Sequence, residues 1–225
     1  MATITTMESR HRRESRTPSA APVVLVVDED ISVRESLTLL ILAAGWRPAA
    51  FASAREFLTH PPERVPSCLI LDVALPDLNG LDLQKRVAID RPAMPVIFIT
   101  RHGDVRTSVQ AMKAGAIEFL TKPFGDDALL DAIRHALELS RRALEREARM
   151  AAVRDSYQSL TPREREVMVL VVSGLLNKQV GGELGISEIT VKAHRGQVMR
   201  KMKADSLPAL VKMVSSLDLE TAWMS

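Results

Sequence analysis

The sequence contains a single cysteine, Cys68, which excludes an internal disulfide. Cys68 lies inside an apolar run, where a cysteine behaves as a small core side chain and not as a reactive thiol. No stretch approaches the roughly 18 consecutive apolar residues of a membrane helix. The charged residues near the N-terminus are not followed by the apolar segment of a secretory signal. These absences indicate a cytoplasmic protein without a membrane partner.

Net charge is also low, at +2 over 225 residues, but it is unevenly distributed. Residues 23–135 hold 12 Lys and Arg against 15 Asp and Glu, a net charge of −3. Residues 188–203 hold five basic residues and one acid, a net charge of +4. An acidic first part and a basic segment near the end predict different partners for the two parts.

Composition divides the chain into four predicted segments. Residues 1–22 are polar and rich in arginine, and predict a disordered basic tail that either contacts nucleic acid or is simply solvated. Residues 23–138 predict an α/β domain, 139–156 a charged helical linker, and 157–225 a helical domain. The heptad pattern in the linker is interrupted, so a solvated helix and a weak dimer contact both remain open.

Five β-branched or apolar runs alternate with helical patterns in the α/β domain. This alternation predicts a parallel sheet covered by helices on both faces. With right-handed crossovers it favours a flavodoxin-like fold of strand order 2-1-3-4-5. The third run ends in Asp72, which should stand at the carboxyl end of a buried strand.

Polar side chains follow the predicted strands where each one ends, and parallel strands present these ends at one edge of a sheet. Crowded carboxylates favour a divalent cation with oxygen ligands, as in a Mg²⁺ site. A lysine and a hydroxyl beside them would bind an anion added to the carboxylate, which indicates phosphoryl transfer to an aspartate. The groups in question are Asp28, Glu29, Asp72, Thr100 and Lys122.

Each of these residues also has an alternative interpretation. The acidic cluster that begins at Asp28 could cap the next helix. Thr100 could be an ordinary hydroxyl at a strand end, and Lys122 a solvated charge. Their joint placement at the ends of adjacent strands favours the functional interpretation over the separate ones.

The helical domain begins with Thr161, Pro162 and Glu164, which form a capping box with proline at the first helical position. Further helical patterns follow, and the last is capped by Ser206. A tight turn at Gly185 lies between the second and third patterns. The domain is therefore predicted to be a four-helix unit with a helix-turn-helix at its centre.

The third helix of this unit is capped by Ser187 and carries most of the basic residues. We expect Ile189, Val191 and Val198 to lie on its inner side. Residues at the start of such a helix reach base edges, and later Lys and Arg reach phosphates. A basic helix face is often merely solvated, but the capped turn before it favours DNA binding.

The first domain resembles the receiver domain of two-component response regulators. The resemblance implies that Asp72 accepts a phosphoryl group from a histidine kinase, with Thr100 and Lys122 binding the phosphoryl oxygens. It covers residues 23–138 and rests on these motifs: Val27-Asp28-Glu29-Asp30, Leu71-Asp72 with Pro76 and Gly80, Ile99-Thr100, and Lys122-Pro123-Phe124.

The same resemblance implies a metal site and a switch. Phe119 would be the aromatic residue that turns inward when Thr100 moves, and the bond between Lys122 and Pro123 would be cis. Mg²⁺ would be held by Glu29, Asp72, the carbonyl of Ala74 and, through water, Asp28.

Three positions depart from the pattern of this family. Glu29 replaces the commoner aspartate, and Leu75 stands where methionine is usual. Arg101 stands beside Thr100, where the family has a small residue. A bulky cation there could clamp the phosphoryl group or obstruct the donor.

The second domain resembles the output domain of NarL/FixJ (LuxR-type) regulators over residues 157–217. Its motifs are Leu160-Thr161-Pro162-Arg163-Glu164, Gly174-Leu175-Leu176-Asn177-Lys178 and Thr190-Val191-Lys192-Ala193-His194. The resemblance implies that Lys192 and Ala193 face the major groove. The further implied DNA contacts, mostly to phosphate, are Lys178, Thr190, His194, Arg195 and Arg200.

The two resemblances together predict a transcription regulator switched by phosphorylation. Phosphate on Asp72 would promote a homodimer whose output domains bind a two-fold site in double-stranded DNA, with RNA polymerase as a further partner. The chain would catalyse nothing beyond phosphoryl transfer to and from Asp72. A receiver that acts without phosphate, as an interaction or constitutive DNA-binding module, stays open because of Arg101. A phosphatase would need a general base that the motifs lack.

Overall fold

The computed structural model describes residues 21–101 and 104–217. All but the last two residues of the predicted basic tail lie outside the described residues. The chain forms two compact units that are divided between Arg141 and Arg142. In the described part, no helix is both long enough and apolar enough to cross a membrane.

The first unit is built on a five-stranded parallel sheet of order β2-β1-β3-β4-β5. This order and the alternation of strands and helices confirm the predicted flavodoxin-like fold. The elements are β1 (Val23–Val27), α1 (Ile31–Ala43), β2 (Arg47–Phe51), α2 (Ala54–Thr59), β3 (Ser67–Asp72), α3 (Gly80–Asp90), β4 (Val96–Thr100), α4 (Val105–Lys113), β5 (Glu118–Thr121) and α5 (Asp126–Gln158), within which the division between the units falls.

The sheet is apolar because both of its faces are covered. Every residue of β1, β3 and β4 is buried, as the continuous apolar runs predicted. On one face Leu69 packs in a cluster with Phe57 of α2 and Leu83 of α3. On the other face Ile70 packs in a cluster with Ile41 of α1, together with residues of α5. Each fully buried Leu, Ile or Phe contributes about 1.5–3 kcal/mol relative to an exposed one.

Ser140 connects α5 to the sheet. Its side chain is buried, and its hydroxyl accepts a hydrogen bond from the backbone N–H of Ser67 at 3.0 Å. The sequence pattern treats Ser140 only as an interruption in the apolar seam of the linker helix. Its partner lies 73 positions away at the start of β3, so no local pattern reveals the contact.

Two polar side chains hold the region around α2. Asp77 caps the helix, because its carboxylate accepts from the backbone N–H groups of Ala54 at 3.1 Å and Arg55 at 2.8 Å. These bonds, that of Arg55 first, hold the pKa of Asp77 below its usual range. Arg91 lies with its guanidinium 4.4 Å from the centre of the Phe57 ring and donates to the carbonyl of His60. Neither role was predicted.

Gly80 allows the start of α3 to approach the end of β3. A Cβ at this position would lie 2.5 Å from the carbonyl oxygen of Asp72 and 3.0 Å from the Cα of Val73. The Gly80 N–H donates to the Val73 carbonyl at 2.9 Å. Only glycine fits this approach, which fixes the path of the chain directly after Asp72.

The second unit contains α6 (Pro162–Val172), α7 (Asn177–Leu184), α8 (Glu188–Lys201) and α9 (Leu207–Ser215). The capping box is present, with Glu164 N–H bonded to the Thr161 hydroxyl at 3.2 Å and Thr161 N–H bonded to the Glu164 carboxylate at 2.8 Å. Lys201 of α8 also lies 2.6 Å from this carboxylate and holds the pKa of Glu164 below its usual range. The box therefore joins α6 to α8 as well as starting α6.

The turn between α7 and α8 depends on two glycines. Gly185 ends α7 with φ of 66°, a left-handed conformation that favours glycine. Gly181 lies one turn earlier, where a Cβ would be 2.7 Å from the carbonyl oxygen of Ile186. The Ile186 N–H in turn donates to the Gly181 carbonyl at 3.0 Å. The backbone of α7 and the turn thus touch at Gly181.

The neighbouring Gly182 provides a matched comparison, because a Cβ added there would meet nothing within 4 Å. Gly181→Ala is expected to destabilise the second unit by about 1–3 kcal/mol, because the turn must shift. Gly182→Ala is expected to stabilise it by about 0.5–1 kcal/mol, because alanine is the better helix former. Chemical denaturation followed by far-UV circular dichroism measures both. Equal effects of the two substitutions would contradict the tight approach at Gly181.

Candidate functional site

Three of the predicted site residues are joined directly at the carboxyl edge of the sheet. Asp28 follows β1 and is fully buried, and Asp72 ends β3 and is 5% exposed. The ammonium of Lys122, after β5, lies 2.5 Å from one Asp28 oxygen and 2.9 Å from one Asp72 oxygen. Thr100 is buried at the end of β4, the strand beside β3. The sheet therefore brings these groups to one edge.

The two carboxylates use their other oxygens on the backbone. Asp28 accepts from the N–H of Asp30 at 2.9 Å, and Asp72 accepts from the N–H of Ala74 at 3.0 Å. Burial raises the pKa of Asp28, although the bonds from Lys122 and from the Asp30 N–H act in the opposite direction. The buried negative charge of Asp28 therefore costs desolvation free energy, which its ion pair with Lys122 offsets only in part.

Arg34 of α1 supports the loop after β1. Its guanidinium donates to the carbonyl of Asp28 at 2.8 Å and to the carbonyl of Glu29 at 2.9 Å. The predicted site did not include Arg34. A cation one turn into the helix that follows an acidic loop is the signal that could have found it, because such a side chain can turn back to the loop carbonyls.

Arg101 and Asp30 form an ion pair between the loops that follow β4 and β1. Asp30 also caps α1, accepting from the Ser32 N–H at 2.9 Å. The sequence suggested that Arg101 clamps a phosphoryl group or obstructs its donor. The structure instead shows the guanidinium on Asp30, so both effects would require it to leave that partner.

The predicted metal ligands offer oxygen atoms alone, which suits a hard cation such as Mg²⁺. Asp28 and Asp72 are buried, whereas Glu29 and Ala74 are exposed next to them in the chain. Among residues 21–101 and 104–217, no three His, Cys, Asp or Glu side chains are already gathered as a metal site. The predicted oxygen ligands therefore suit Mg²⁺. Two of them, the carboxylates of Asp28 and Asp72, are also bound by the ammonium of Lys122.

The predicted switch residue Phe119 is partly buried and lies in β5. Its ring centre is 6.1 Å from that of Phe98, and it packs against the core on that face of the sheet. The peptide bond between Lys122 and Pro123 is cis, as the resemblance implied.

An apolar stripe lies on the surface of α4. Val105 is 79% exposed, Val109 44% and Met112 46%. Spacings of four and three residues place these side chains on one face of the helix. The stripe begins five residues after Thr100, so it belongs to the region that follows the site directly in the chain.

The predicted DNA contacts lie mostly on the outside of the helix-turn-helix. Lys178, Lys192, Ala193 and Arg200 are exposed, and Thr190, His194 and Arg195 are half-buried. Two of them also hold the motif together. The Thr190 and Ser187 hydroxyls are 2.8 Å apart, and the Arg195 guanidinium donates to the Asn177 side chain at 3.1 Å.

One prediction for α8 is wrong. Val191 and Val198 are buried as expected, but Ile189 is 79% exposed. Ile189 stands two positions before Val191, and residues two apart do not share a helix face. Apolar character alone groups the three residues, whereas helix geometry separates Ile189 from the other two.

Comparison with known proteins agrees with the fold of both units. Residues 24–134 match the response regulator receiver domain family, and residues 158–214 match the family of bacterial regulatory proteins called luxR. The chain is 49% identical over 201 residues to nodulation protein W of Bradyrhizobium diazoefficiens, covering 89% of this chain and 88% of that protein. It is 42% identical over 197 residues to response regulator protein TodT of Pseudomonas putida, covering 88% and 87%.

Two solved structures extend the likeness over both units. Response regulator StyR is 44% identical with a TM-score of 0.79, covering 87% of this chain and 99% of that one. Full-length FixJ from B. japonicum is 36% identical with a TM-score of 0.51, covering 89% and 98%. The chain therefore belongs to the FixJ-type response regulators of two-component systems, which join a receiver domain to a LuxR-type DNA-binding domain.

Proposed function

We propose that a histidine kinase phosphorylates Asp72 and that this phosphorylation increases sequence-specific DNA binding by the second unit. The observation that carries the proposal is the placement of the Lys122 ammonium between Asp72 and the fully buried Asp28. A cation held by two acids at the end of a parallel sheet is suited to bind an anion that forms there. Because the proposed target is DNA, we expect the protein to act in the cytoplasm.

In the proposed reaction an Asp72 carboxylate oxygen attacks the phosphorus of a phosphohistidine. The new O–P bond forms as the P–N bond breaks, and the imidazole leaves with the electron pair. A carboxylate nucleophile needs no general base, which fits the absence of one from the predicted set. The Lys122 ammonium, 2.9 Å from Asp72, offsets the charge that gathers on the phosphoryl oxygens. The Thr100 hydroxyl would bind one of these oxygens.

Receiver domains generally use Mg²⁺ for this reaction. Here Glu29, Asp72 and the Ala74 carbonyl would hold it, with Asp28 acting through water, and it would supply positive charge beside the transferred group. Lys122 would then share two of these ligands with the metal, and Arg34 would keep the loop of Asp28 and Glu29 in place through its bonds to their carbonyls.

Transmission to DNA would pass through the surface next to the site. Phosphate on Asp72 draws the Thr100 hydroxyl, and Phe119 on the adjacent strand repacks with it. The exposed stripe of Val105, Val109 and Met112 on α4 would then pair with a second copy of the chain. Dimerisation places two α8 helices for a two-fold DNA site, while Lys192 and Ala193 face the groove.

Intact mass spectrometry of the full chain after incubation with acetyl phosphate and Mg²⁺ tests the first step. We expect one added phosphoryl group per chain, and none when EDTA is present from the start. Absence of the adduct would favour the alternative function, a receiver that acts without phosphate. The large cation Arg101 beside Thr100 is the feature on which this alternative rests, although its guanidinium is paired with Asp30 in the structure.

A further inference from the structure

Ile189 is the second residue of α8, and its side chain is 79% exposed. An isoleucine left in water contributes nothing to the core of the unit, and the hydrophobic clusters of this unit are formed by other residues. Its neighbour Ser187 caps α8, so Ile189 lies in the first turn of the helix. In a helix-turn-helix this turn of the recognition helix is the part that reaches base edges.

Ile189 shares a helix face with the residues that are expected to enter the major groove. Lys192 and Ala193 follow three and four positions later, and both are exposed. Gly196 comes one further turn along, and a Cβ there would have nothing within 4 Å. The face is therefore open over two turns, with Ile189 as the large apolar side chain at its N-terminal end.

The floor of the major groove offers one apolar feature, the C5 methyl group of thymine, among hydrogen-bond donors and acceptors. An isoleucine placed against the other base edges would cover polar atoms without bonding them, which costs free energy. We propose that Ile189 is a specificity-determining residue that contacts a thymine methyl group in the DNA site. This inference rests on the proposed DNA binding and adds a base preference to it.

The neighbouring charges are compatible with this role. Lys192 lies 3.1 Å from Glu188, and both side chains are about half exposed or more, at 61% and 47%. Such a surface pair is worth little, so Lys192 can exchange Glu188 for a guanine edge. Ile189 projects from the same first turn as Glu188. The thymine whose methyl group contacts Ile189 should thus lie close to a guanine recognised by Lys192.

The test uses duplexes selected from a random pool by the phosphodonor-treated full chain. Each thymine of one half-site is replaced in turn by deoxyuridine, which removes only the methyl group. At one position we expect the wild-type chain to lose about fourfold in affinity, the equivalent of one buried methyl or methylene group. The Ile189→Ala variant is expected to bind the dT and dU duplexes equally at that position.

Ile89→Ala is the matched control, because Ile89 is 80% exposed on α3 of the first unit. This variant should keep the wild-type response to dU. If Ile189→Ala still loses about fourfold in affinity on the change from dT to dU, whether or not its overall affinity falls, the inference is overturned. It is also overturned if the wild-type chain responds to dU at no position. If no duplex is selected at all, the proposed DNA binding fails, which is a separate and recognisable result.

Discussion

Replacement of Asp72 by Asn is expected to abolish the added phosphoryl mass completely. The amide has no anionic oxygen to attack phosphorus, while its size and its hydrogen bond from the Ala74 N–H, 3.0 Å long in the wild type, can be kept. Lys122 keeps Asp28 as its partner, so the site should not collapse. Intact mass after acetyl phosphate and Mg²⁺ treatment measures the loss, and the folded state is checked by circular dichroism.

Asp82→Asn is the control for that experiment. Asp82 is exposed on α3 and pairs with Lys85 across one helical turn at 2.8 Å, an interaction worth little. This variant should gain one phosphoryl group as the wild type does. A phosphoryl group on the Asp72→Asn chain would show that another residue is the acceptor, which would contradict the role proposed for Asp72.

Replacement of Asp28 by Asn is expected to have two opposite effects. Phosphorylation should slow by about 10- to 100-fold, as when a metal loses an outer partner. The first unit should become more stable by about 1 kcal/mol, because relieving strain at a functional site commonly adds stability. The reason is the fully buried charge of Asp28, whose desolvation outweighs its bonds to Lys122 and the Asp30 N–H.

The effect of Asp28 depends on pH with a definite sign. Burial raises its pKa in the folded state above the ordinary value of 3.8. The folded protein then holds the proton more tightly than the unfolded chain does, which stabilises the fold below pH 3.8. That contribution is lost as pH rises through the folded pKa. As pH rises from 3.8 through the pKa of Asp28 in the folded state, the wild type should therefore lose stability relative to Asp28→Asn.

Urea unfolding at a series of pH values measures this difference. The fluorescence of Trp46, which packs against the core of the first unit, reports on that unit when the other tryptophan is replaced by Trp223→Phe. A lower urea midpoint for Asp28→Asn at neutral pH would show that the bonds of Asp28 outweigh its desolvation. Asp28 would then not be a carboxylate whose burial costs stability.

The sequence was sufficient to predict where the site residues lie, because their positions follow from the ends of the predicted strands. Continuous apolar runs identify strands buried on both faces, and the polar residue after each run must then lie at one edge of a parallel sheet. The ends of the strands thus place Asp28, Asp72, Thr100 and Lys122 without any knowledge of side-chain contacts. They do not show that Lys122 bridges both acids, because that depends on the rotamers of side chains at the ends of β1, β3 and β5.

Contacts between distant residues are what sequence patterns could not predict. Ser140 interrupts the apolar seam of the linker helix in the sequence. Only the structure shows that its hydroxyl accepts a hydrogen bond from the N–H of Ser67 in β3. Arg101 looks like an obstacle beside Thr100 until the loop after β1 places Asp30 within reach. Hydrophobicity alone places Ile189 in the core, although its position relative to Val191 is sufficient to exclude that.

We propose above all that charge added to Asp72 controls binding of DNA by the second unit. The most direct test is the affinity of the full chain for a selected duplex, with and without acetyl phosphate and Mg²⁺, together with its mass in sedimentation. We predict that phosphorylation tightens binding by about 5- to 150-fold, the usual range of coupling between two sites, and shifts the chain to a dimer. Equal affinity and unchanged mass, in a sample whose phosphorylation is confirmed, would contradict the claim.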